Sequence, residues 1–379
     1  MGSKIWLSPP HMGGAEEQYV KEAFDTNWIA PLGPNVNGFE NDISTYLGNN
    51  NYVAVLISGT AALHIGLVLL GIKPGDEVLC QTMTFSATAN AISYVGAIPI
   101  FVGSDAETWN MDPQKLEDTI KIRMALGKKP KAILPVHLYG MPAKMKEIIE
   151  ISLKYEIPIL EDAAESLGSS INGRKCGDFG DISVLSFNGN KIITTSGGGA
   201  LVSKNEELVK NARFLASQAR DEAPHYQHTH IGYNYRLSNL CAGVGRGQME
   251  VLELRIEQRR YNYDFYKKNI QEIDGIFFLD EPAGYCSNRW LTTILIDSKR
   301  TGFSREDLRL ELEKDNIESR PLWKPMHLQP IFKSYPFYGC ELSEYVFDNG
   351  LCLPSGSSLN DDDLLRICNL VKNLSVKSK

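Results

Sequence analysis

The sequence shows no pairing pattern among its cysteines and no concentration of basic residues. None of its seven cysteines forms a CxxC pair, and a chain of 379 residues needs no disulfide framework to fold. Its basic residues are dispersed and its formal net charge is -7, which argues against binding to nucleic acid or to an acidic membrane. We therefore assign no chemistry to the cysteines and expect no polyanionic partner.

Long apolar runs, internal repeats and low-complexity tracts are also lacking. The opening stretch MGSKIWLSPPHMGG has no apolar segment typical of a signal peptide, and AALHIGLVLLGI is too short to span a bilayer. With 43% hydrophobic and 22% charged residues, the composition is that of an ordinary globular protein. We expect a cytoplasmic protein of one or two domains.

The sequence does contain an alternation of short apolar runs and longer amphipathic stretches. NYVAVLIS, KAILPVHLYG, IPILEDAA and DISVLSF are typical of strands buried on both faces of a mainly parallel sheet. Helical patterns such as AKMKEIIEISLKYE and NEELVKNARFLAS separate them. The alternation predicts a large α/β domain over residues 1–255, and the remainder indicates a smaller α+β domain over residues 256–379.

Polar residues follow three of the predicted strands, at the sheet edge where open α/β folds bind ligands. The first group is Ser58, Gly59 and Thr60, after which a helix begins. Free N–H groups and the helix dipole make such a start favourable for a phosphate group. A plain helix N-cap is the alternative explanation for this stretch taken alone.

The second and third groups supply acidic and basic side chains. Asp162 and Glu165 follow the strand IPIL, where a buried acid is costly unless a cation or a donor meets it. Ser186 and Lys191 follow DISVL and precede glycines 197–199, which allow a ligand to approach the backbone closely. Helix capping by the acids and solvation of the lysine are the alternatives for each stretch alone.

Together the three strand ends offer a phosphate site, a carboxylate and an amine, which are the groups needed to hold pyridoxal phosphate. Lys191 would bind the aldehyde covalently, and Asp162 would pair with the nitrogen of the pyridine ring. The helix N-terminus at Gly59 would hold the phosphate. The sequence therefore predicts a pyridoxal phosphate site.

Five stretches, LISGTAALHIGL, QTMTFSATANAI, EDAAESLGS, SFNGNKIITTSGGG and HIGYNYRLSN, resemble in this order the motif series of the DegT/DnrJ/EryC1/StrS sugar aminotransferases. The similarity covers nearly the whole chain, from SPPHMGG to ESRPLWKPMHLQPIF. It implies the fold type I architecture of aspartate aminotransferase, with a mixed, mostly parallel sheet in the large domain. It also implies pyridoxal 5'-phosphate as cofactor and a homodimer with shared active sites.

The resemblance also implies roles for individual residues. Lys191 would be the catalytic residue, Phe85 would stack on the cofactor ring, and Glu165 would lie near its phenolic oxygen. Asn234 would reach the phosphate of the neighbouring subunit, and a core position is the alternative for Phe85. The implied cofactor-binding residues are Gly59, Thr60, Phe85, Asp162, Glu165, Ser186, Lys191 and Asn234.

The substrate is also suggested by resemblance. SPPHMGG, NWIAPLG, SNRWL and ESRPLWKPMH are similar to transaminases of the bacillosamine pathway, which aminate the C4 keto group of a UDP-linked 4-keto-6-deoxy-N-acetylglucosamine. Glutamate is the expected amino donor. The implied sugar-binding residues are Asn27, Trp28, Ile29 and Ala30, and those expected to face the nucleotide diphosphate are Arg320 and His327.

Other functions stay open at this point. A dTDP-linked or GDP-linked keto-sugar, as in perosamine synthesis, is an alternative substrate, and a regulator that binds the cofactor without turnover is an alternative of another class. Dehydratases of this family carry histidine in place of Lys191, and a cysteine desulfurase would need a nucleophilic cysteine. His225, His228 and His230 lack an evident fourth ligand, so we expect contact with substrate or subunit and no metal.

Overall fold

The structure is a computed structural model that describes residues 2–377. The strands are β1 (Tyr52–Leu56), β2 (Glu77–Gln81), β3 (Ile98–Val102), β4 (Ala132–Leu134), β5 (Leu160–Asp162), β6 (Ser170–Ile171), β7 (Arg174–Lys175), β8 (Ile182–Ser186), β9 (Gly199–Ser203), β10 (Ile276–Phe278), β11 (Tyr285–Cys286), β12 (Thr292–Ile296), β13 (Arg320–Pro321), β14 (Phe337–Tyr338) and β15 (Gly350–Leu353). The helices are α1 (Glu16–Asp25), α2 (Pro34–Tyr46), α3 (Gly59–Leu69), α4 (Ser86–Tyr94), α5 (Pro113–Ala125), α6 (Met145–Tyr155), α7 (Glu206–Ala216), α8 (Asn239–Met249), α9 (Leu252–Ile270), α10 (Ser298–Thr301), α11 (Arg305–Lys314), α12 (Leu342–Asn349) and α13 (Asp361–Lys377).

The central sheet has the strand order β14-β3-β2-β4-β5-β8-β9-β1. Strands β4 and β5 are joined by parallel bridges from Ile133 to Ile159 and from Val136 to Asp162. Strand β9 runs antiparallel to both of its neighbours, and the other pairs are parallel. The sheet is therefore mixed and mostly parallel, as the sequence predicts.

Apolar side chains cover both faces of this sheet. In β1, Val53 and Val55 pack into one core cluster, while Ala54 and Leu56 pack into the cluster on the opposite side. Successive side chains of a strand point to opposite faces, so a continuous apolar run fits a strand covered on both sides. Because most of the strands are parallel, their carboxyl ends lie at one edge of the sheet.

The C-terminal part of the chain forms a second sheet, with the order β10-β12-β15-β13. Its core includes Tyr266 of α9, Leu308 of α11 and Ile367 of α13. The boundary predicted at residue 255 falls inside α9, which continues from the large α/β part into this second core. Within residues 2–377, no helix combines the length and apolar character required to cross a bilayer.

Candidate active site

A cavity of about 460 Å³ lies where β1, β5 and β8 end. Ser58, Asp162 and Ser186 line it from these strand ends. The C-terminal part closes the opposite side with Trp290 and Trp323. Both parts of the chain must therefore be in place before the cavity has its final shape.

The start of α3 supplies the anion-binding side of the cavity. Ser58 caps this helix, because its Oγ accepts the N–H of Ala61 at 3.0 Å. A Cβ on Gly59 would lie 3.0 Å from Cβ of Ser186, and a Cβ on Gly199 would overlap the backbone of Ser58 and Gly59. These close approaches bring the first N–H groups of α3, which lack partners within the helix, to the cavity wall.

Asp162 lies at the end of β5 and is 4% exposed. Thr88 of α4 donates to its Oδ2 at 2.8 Å, and the N–H of Ala164 donates to its Oδ1 at 3.1 Å. Burial raises the pKa of Asp162, while these hydrogen bonds and the charge of Lys191 act in the opposite direction. A protonated ring nitrogen in the cavity would therefore favour the ionised carboxylate.

Lys191 and Glu165 form a buried pair across the cavity, with 3.9 Å between Nζ and Oε1. Burial lowers the pKa of Lys191 and raises that of Glu165 to about 7, although each charge favours the other. The N–H of Tyr139 donates to Oε2 of Glu165 at 2.6 Å from a backbone with a positive φ of 54°. Burial therefore favours the neutral amine, which is the nucleophilic form of a lysine.

Phe85 precedes α4 and is 53% exposed although it lines the cavity. Its ring centroid lies 5.5 Å from that of Trp323, at an angle of 51° between the rings. An exposed phenyl ring inside a cavity offers an apolar face on which a planar ring can stack. This face lies in the same cavity as Asp162 and Lys191.

These residues fit pyridoxal phosphate. A helix start packed closely enough to require glycine suits the phosphate. The buried Asp162 accepts hydrogen bonds from the neutral donors Thr88 and Ala164, and a pyridinium nitrogen would add a cationic donor. Lys191 suits the aldehyde, and Phe85 suits the ring. The structure brings seven of the residues predicted for the cofactor to this cavity: Gly59, Thr60, Phe85, Asp162, Glu165, Ser186 and Lys191.

Other predicted residues lie outside the lining of this cavity. The segment from Asn27 to Ala30 contacts the start of α8. The side-chain amide of Asn239 donates to the carbonyl of Trp28, and the backbone N–H of Asn239 donates to the carbonyl of Ala30. Asn234 is exposed and forms a backbone bridge with Ser217. Asn27, Trp28, Ile29, Ala30 and Asn234 are therefore absent from the cavity lining that their own chain forms.

Arg320 and His327 have different surroundings. Arg320 lines the cavity, is largely exposed and donates to Glu318 at 2.9 Å. His327 is buried outside the lining, with Nδ1 2.6 Å from Oγ1 of Thr82 and its ring 3.7 Å from that of Phe337. The structure thus brings Arg320 to the cavity and does not bring His327 there.

The three histidines for which the sequence suggests contact with substrate or subunit lie at the surface. His225, His228 and His230 are exposed. Among residues 2–377, the group with metal-ligand geometry is instead the buried set His137, Glu161 and Cys176. Both ring nitrogens of His137 are already engaged: the N–H of Ala143 donates to Nδ1 at 2.9 Å, and Nε2 lies 2.8 Å from Glu161.

Sequence reasoning missed several residues that shape the site. Thr88 lies in the motif QTMTFSATANAI, three positions after Phe85. Residues three apart lie on the same face of a helix, so this spacing could have indicated that Thr88 lies near the cofactor site. Trp290 and Trp323 occur in SNRWL and ESRPLWKPMH, two stretches whose resemblance to bacillosamine-pathway transaminases suggests the substrate. Nothing in those stretches distinguishes a cavity tryptophan from a core tryptophan.

Comparison with known proteins gives the family directly. The model of the DegT/DnrJ/EryC1/StrS aminotransferase family matches residues 10–372. EpsN of Bacillus subtilis strain 168, provisionally named a pyridoxal phosphate-dependent aminotransferase, is 50% identical over 99% of this chain and 96% of its own. GDP-perosamine synthase of Escherichia coli O157:H7 is 38% identical over 95% of each chain.

The fold also matches solved structures. The PLP form of Spr1654 from Streptococcus pneumoniae, provisionally named a sugar aminotransferase, superimposes with a TM-score of 0.90. It is 26% identical, and the match covers 100% of both chains. These findings confirm the predicted fold type and the predicted cofactor, pyridoxal phosphate. The chain belongs to the DegT/DnrJ/EryC1/StrS aminotransferase family and is a pyridoxal phosphate-dependent sugar aminotransferase.

Proposed function

We propose that this enzyme transfers the amino group of glutamate to the C4 keto group of a UDP-linked 4-keto-6-deoxy-N-acetylhexosamine. The product would be UDP-4-amino-4,6-dideoxy-N-acetylglucosamine, a precursor of bacillosamine-type glycans. The observation that carries the aminotransferase part is the meeting of Lys191 and Asp162 in one cavity beside Phe85. The sugar is suggested by the resemblance of NWIAPLG, SNRWL and ESRPLWKPMH to bacillosamine-pathway transaminases.

Each residue has a distinct task in this proposal. Bound pyridoxal phosphate supplies an electron sink next to the substrate carbon and carries the amino group between the two substrates. Lys191 binds the aldehyde and, once released, accepts and returns a proton at Nζ as general base and acid. Asp162 keeps the ring nitrogen protonated, the start of α3 at Gly59 binds the phosphate, and Phe85 orients the ring.

Lysine chemistry of this kind requires an amine that is neutral when it acts. The burial of Lys191, which lowers its pKa, favours that form, and the neighbouring charge of Glu165 limits the effect. A buried site also excludes water from the reacting carbon. The cavity therefore suits both the covalent and the proton-transfer roles of Lys191.

Arg320 places a positive charge at the exposed part of the cavity lining, where we expect the nucleotide of the substrate to bind. Its guanidinium group lies at the cavity lining and is 68% exposed, so it can turn from Glu318 to the phosphates of an incoming substrate. Guanidinium groups bind phosphate oxygens in pairs, which suits a diphosphate. The burial of His327 outside the cavity favours a packing role for that side chain, in place of the predicted substrate contact.

We further propose a homodimer in which each chain completes the cavity of its partner. Several large apolar side chains are exposed on the segments that lie outside the cavity of their own chain, and a partner subunit would cover them. Ile231 is 86% exposed, Tyr226 is 79% exposed and Ile29 is 48% exposed. These segments carry Trp28 and Asn234, which would then reach the sugar and the phosphate of the partner's cofactor.

A GDP-linked keto-sugar is the second candidate substrate. It is favoured by the 38% identity to GDP-perosamine synthase over 95% of each chain. The two candidates share the C4 keto group and differ in the nucleotide and in the substituent at C2. They can be separated only with the sugars themselves.

Single-turnover spectroscopy tests the proposal. The protein is loaded with pyridoxal phosphate, converted to the amino form of the cofactor with glutamate, freed of glutamate and mixed with the UDP-linked keto-sugar. We expect return of the aldehyde-form absorbance and an amino-sugar by mass spectrometry. Return only with GDP-linked or dTDP-linked sugars would refute the UDP assignment. Failure to react even with glutamate would instead indicate a cofactor-binding protein without turnover, and Lys191→Ala provides the inactive control.

A further inference from the structure

Trp290 contacts both the amine of Lys191 and the carbonyl of the preceding residue, Asn190. The ammonium nitrogen of Lys191 lies 4.2 Å from the centroid of the indole ring. The indole Nε1–H donates to the carbonyl of Asn190, the residue before Lys191, at 2.6 Å. One side chain therefore contacts the reacting nitrogen and fixes the peptide that carries it.

The indole ring itself is held firmly. The N–H of Trp290 donates to Asn288 at 2.9 Å, and Arg259 donates to the Trp290 carbonyl at 2.6 Å. Tyr139 stacks against the ring, with centroids 6.3 Å apart and an angle of 25°. Trp290 is 2% exposed, so its ring face has a fixed direction toward Lys191.

We propose that Trp290 is a positioning residue of the amino transfer, whose ring face receives the Lys191 ammonium group whenever the lysine is not bonded to the cofactor. A cation over the face of an indole is attracted by the ring quadrupole, and more strongly where water is excluded. The bond to Asn190 keeps the lysine in line with that face. This inference rests on the covalent role proposed for Lys191.

The neighbouring acidic groups, Asp162 and Glu165, do not fully account for the stabilisation of the Lys191 ammonium group. Asp162 is oriented by Thr88 and Ala164 and is assigned to the ring nitrogen of the cofactor. Glu165 lies 3.9 Å from Nζ, and burial raises its pKa to about 7, so near neutral pH its carboxyl group carries only part of a negative charge. The indole face stabilises a transient ammonium group without adding a fixed negative charge that would hold the proton permanently.

Fluorination of tryptophan tests this inference, because it weakens the negative ring face while keeping the shape of the side chain. Cofactor-free protein is prepared with tryptophan, 5-fluorotryptophan or 5,6,7-trifluorotryptophan. The acetylation of Lys191 by acetic anhydride is then followed from pH 6 to pH 10 by peptide mass spectrometry. We expect the ammonium-to-amine ratio of Lys191 to fall about tenfold across the series, so that acetylation at neutral pH becomes faster.

The controls separate this effect from general changes in the protein. In Trp290→Phe protein, the same analogues should leave the acetylation profile of Lys191 unchanged. Lys144, which pairs with Asp105 and Glu107, should be insensitive in every sample. A Lys191 profile that does not depend on fluorination in the Trp290 protein would overturn the inference.

A separate experiment tests the role of Lys191 on which the inference rests. Borohydride reduction of the cofactor-loaded protein, followed by peptide mapping, shows whether the cofactor is attached to Lys191. Attachment elsewhere would refute the proposed active site and, with it, the functional meaning of the Trp290 contact. Attachment to Lys191 with no response to fluorination would refute the role of Trp290 alone.

Discussion

The hydroxyl group of Thr88 donates a 2.8 Å hydrogen bond to Oδ2 of Asp162 and so links α4 to the end of β5. The hydroxyl group of Thr84 lies 2.7 Å from the Thr88 hydroxyl and extends this chain of polar groups.

We expect Asp162→Asn to weaken pyridoxal phosphate binding about 10-fold to 100-fold, because a buried charge-assisted contact is lost. Thr88→Val should weaken it about fivefold. Equilibrium dialysis measures both, and Thr88→Ser should bind as the original protein does.

Gly199 and Gly197 provide a matched pair of positions for testing the close packing at the start of α3. Gly199→Ala should lower the free energy of unfolding by about 2 kcal/mol or more, because its methyl group would overlap the backbone of Ser58 and Gly59. Gly197→Ala should leave stability nearly unchanged, since nothing lies within 4 Å of its added Cβ. Urea unfolding of the cofactor-free proteins gives both values. Equal stability of the two variants would contradict the close packing at Gly199.

We expect the free energy of unfolding to fall in acid, because Glu161 becomes protonated. Burial alone would raise the pKa of Glu161, but hydrogen bonds from His137, Ser183 and backbone N–H groups lower it from 4.5 to about 2. A lowered pKa stabilises the folded protein above about pH 4.5, and this contribution is lost as the pH falls toward 2. Glu161→Gln should therefore cost about 3 kcal/mol at pH 7 and less at pH 4.

Urea unfolding at the two pH values measures this difference, with Glu150→Gln on the exposed side of α6 as the control. The control should change little at either pH. A penalty for Glu161→Gln that is the same at pH 7 and pH 4 would show that the packing of the side chain matters and its charge does not.

Hybrid dimers test whether Asn234 serves the partner's site. We expect Lys191→Ala and Asn234→Ala to be nearly inactive when each is prepared alone. Mixed and allowed to exchange subunits, they should recover about a quarter of the original activity, because each hybrid dimer contains one intact site. No recovery, with exchange verified by mass spectrometry, would place Asn234 in the site of its own chain or outside the site altogether.

The part of the site that follows strand ends could be predicted from the sequence. Gly59 follows β1, Asp162 ends β5 and Ser186 ends β8, and the mostly parallel strands of one sheet bring such residues to a common edge. Lys191 follows the same rule, since it comes soon after β8. The apolar runs that predict these strands are rich in Val, Ile and Leu, and this composition favours buried strands.

The remaining features depend on contacts between distant parts of the chain. Trp290 binds the carbonyl of Asn190 from 100 residues away, and a buried tryptophan has no sequence pattern that reveals such a partner. His327 belongs to the motif ESRPLWKPMH, which predicts a contact with the substrate. In the structure, its ring stacks on that of Phe337 in β14, and this contact with a distant residue orients the side chain. Two-residue strands such as β14 are too short to show any periodicity.

Strand β14 also bears on how the protein is made. Phe337 and Tyr338 form the edge of the central sheet by pairing with Phe101 and Val102 of β3. While the chain is still on the ribosome, β3 therefore has an open edge until residue 338 has emerged, and open edges pair readily with other chains. We expect ribosome-bound chains to acquire their final protease resistance in the large sheet only beyond that length. Premature termination before β14 would leave a product prone to aggregation.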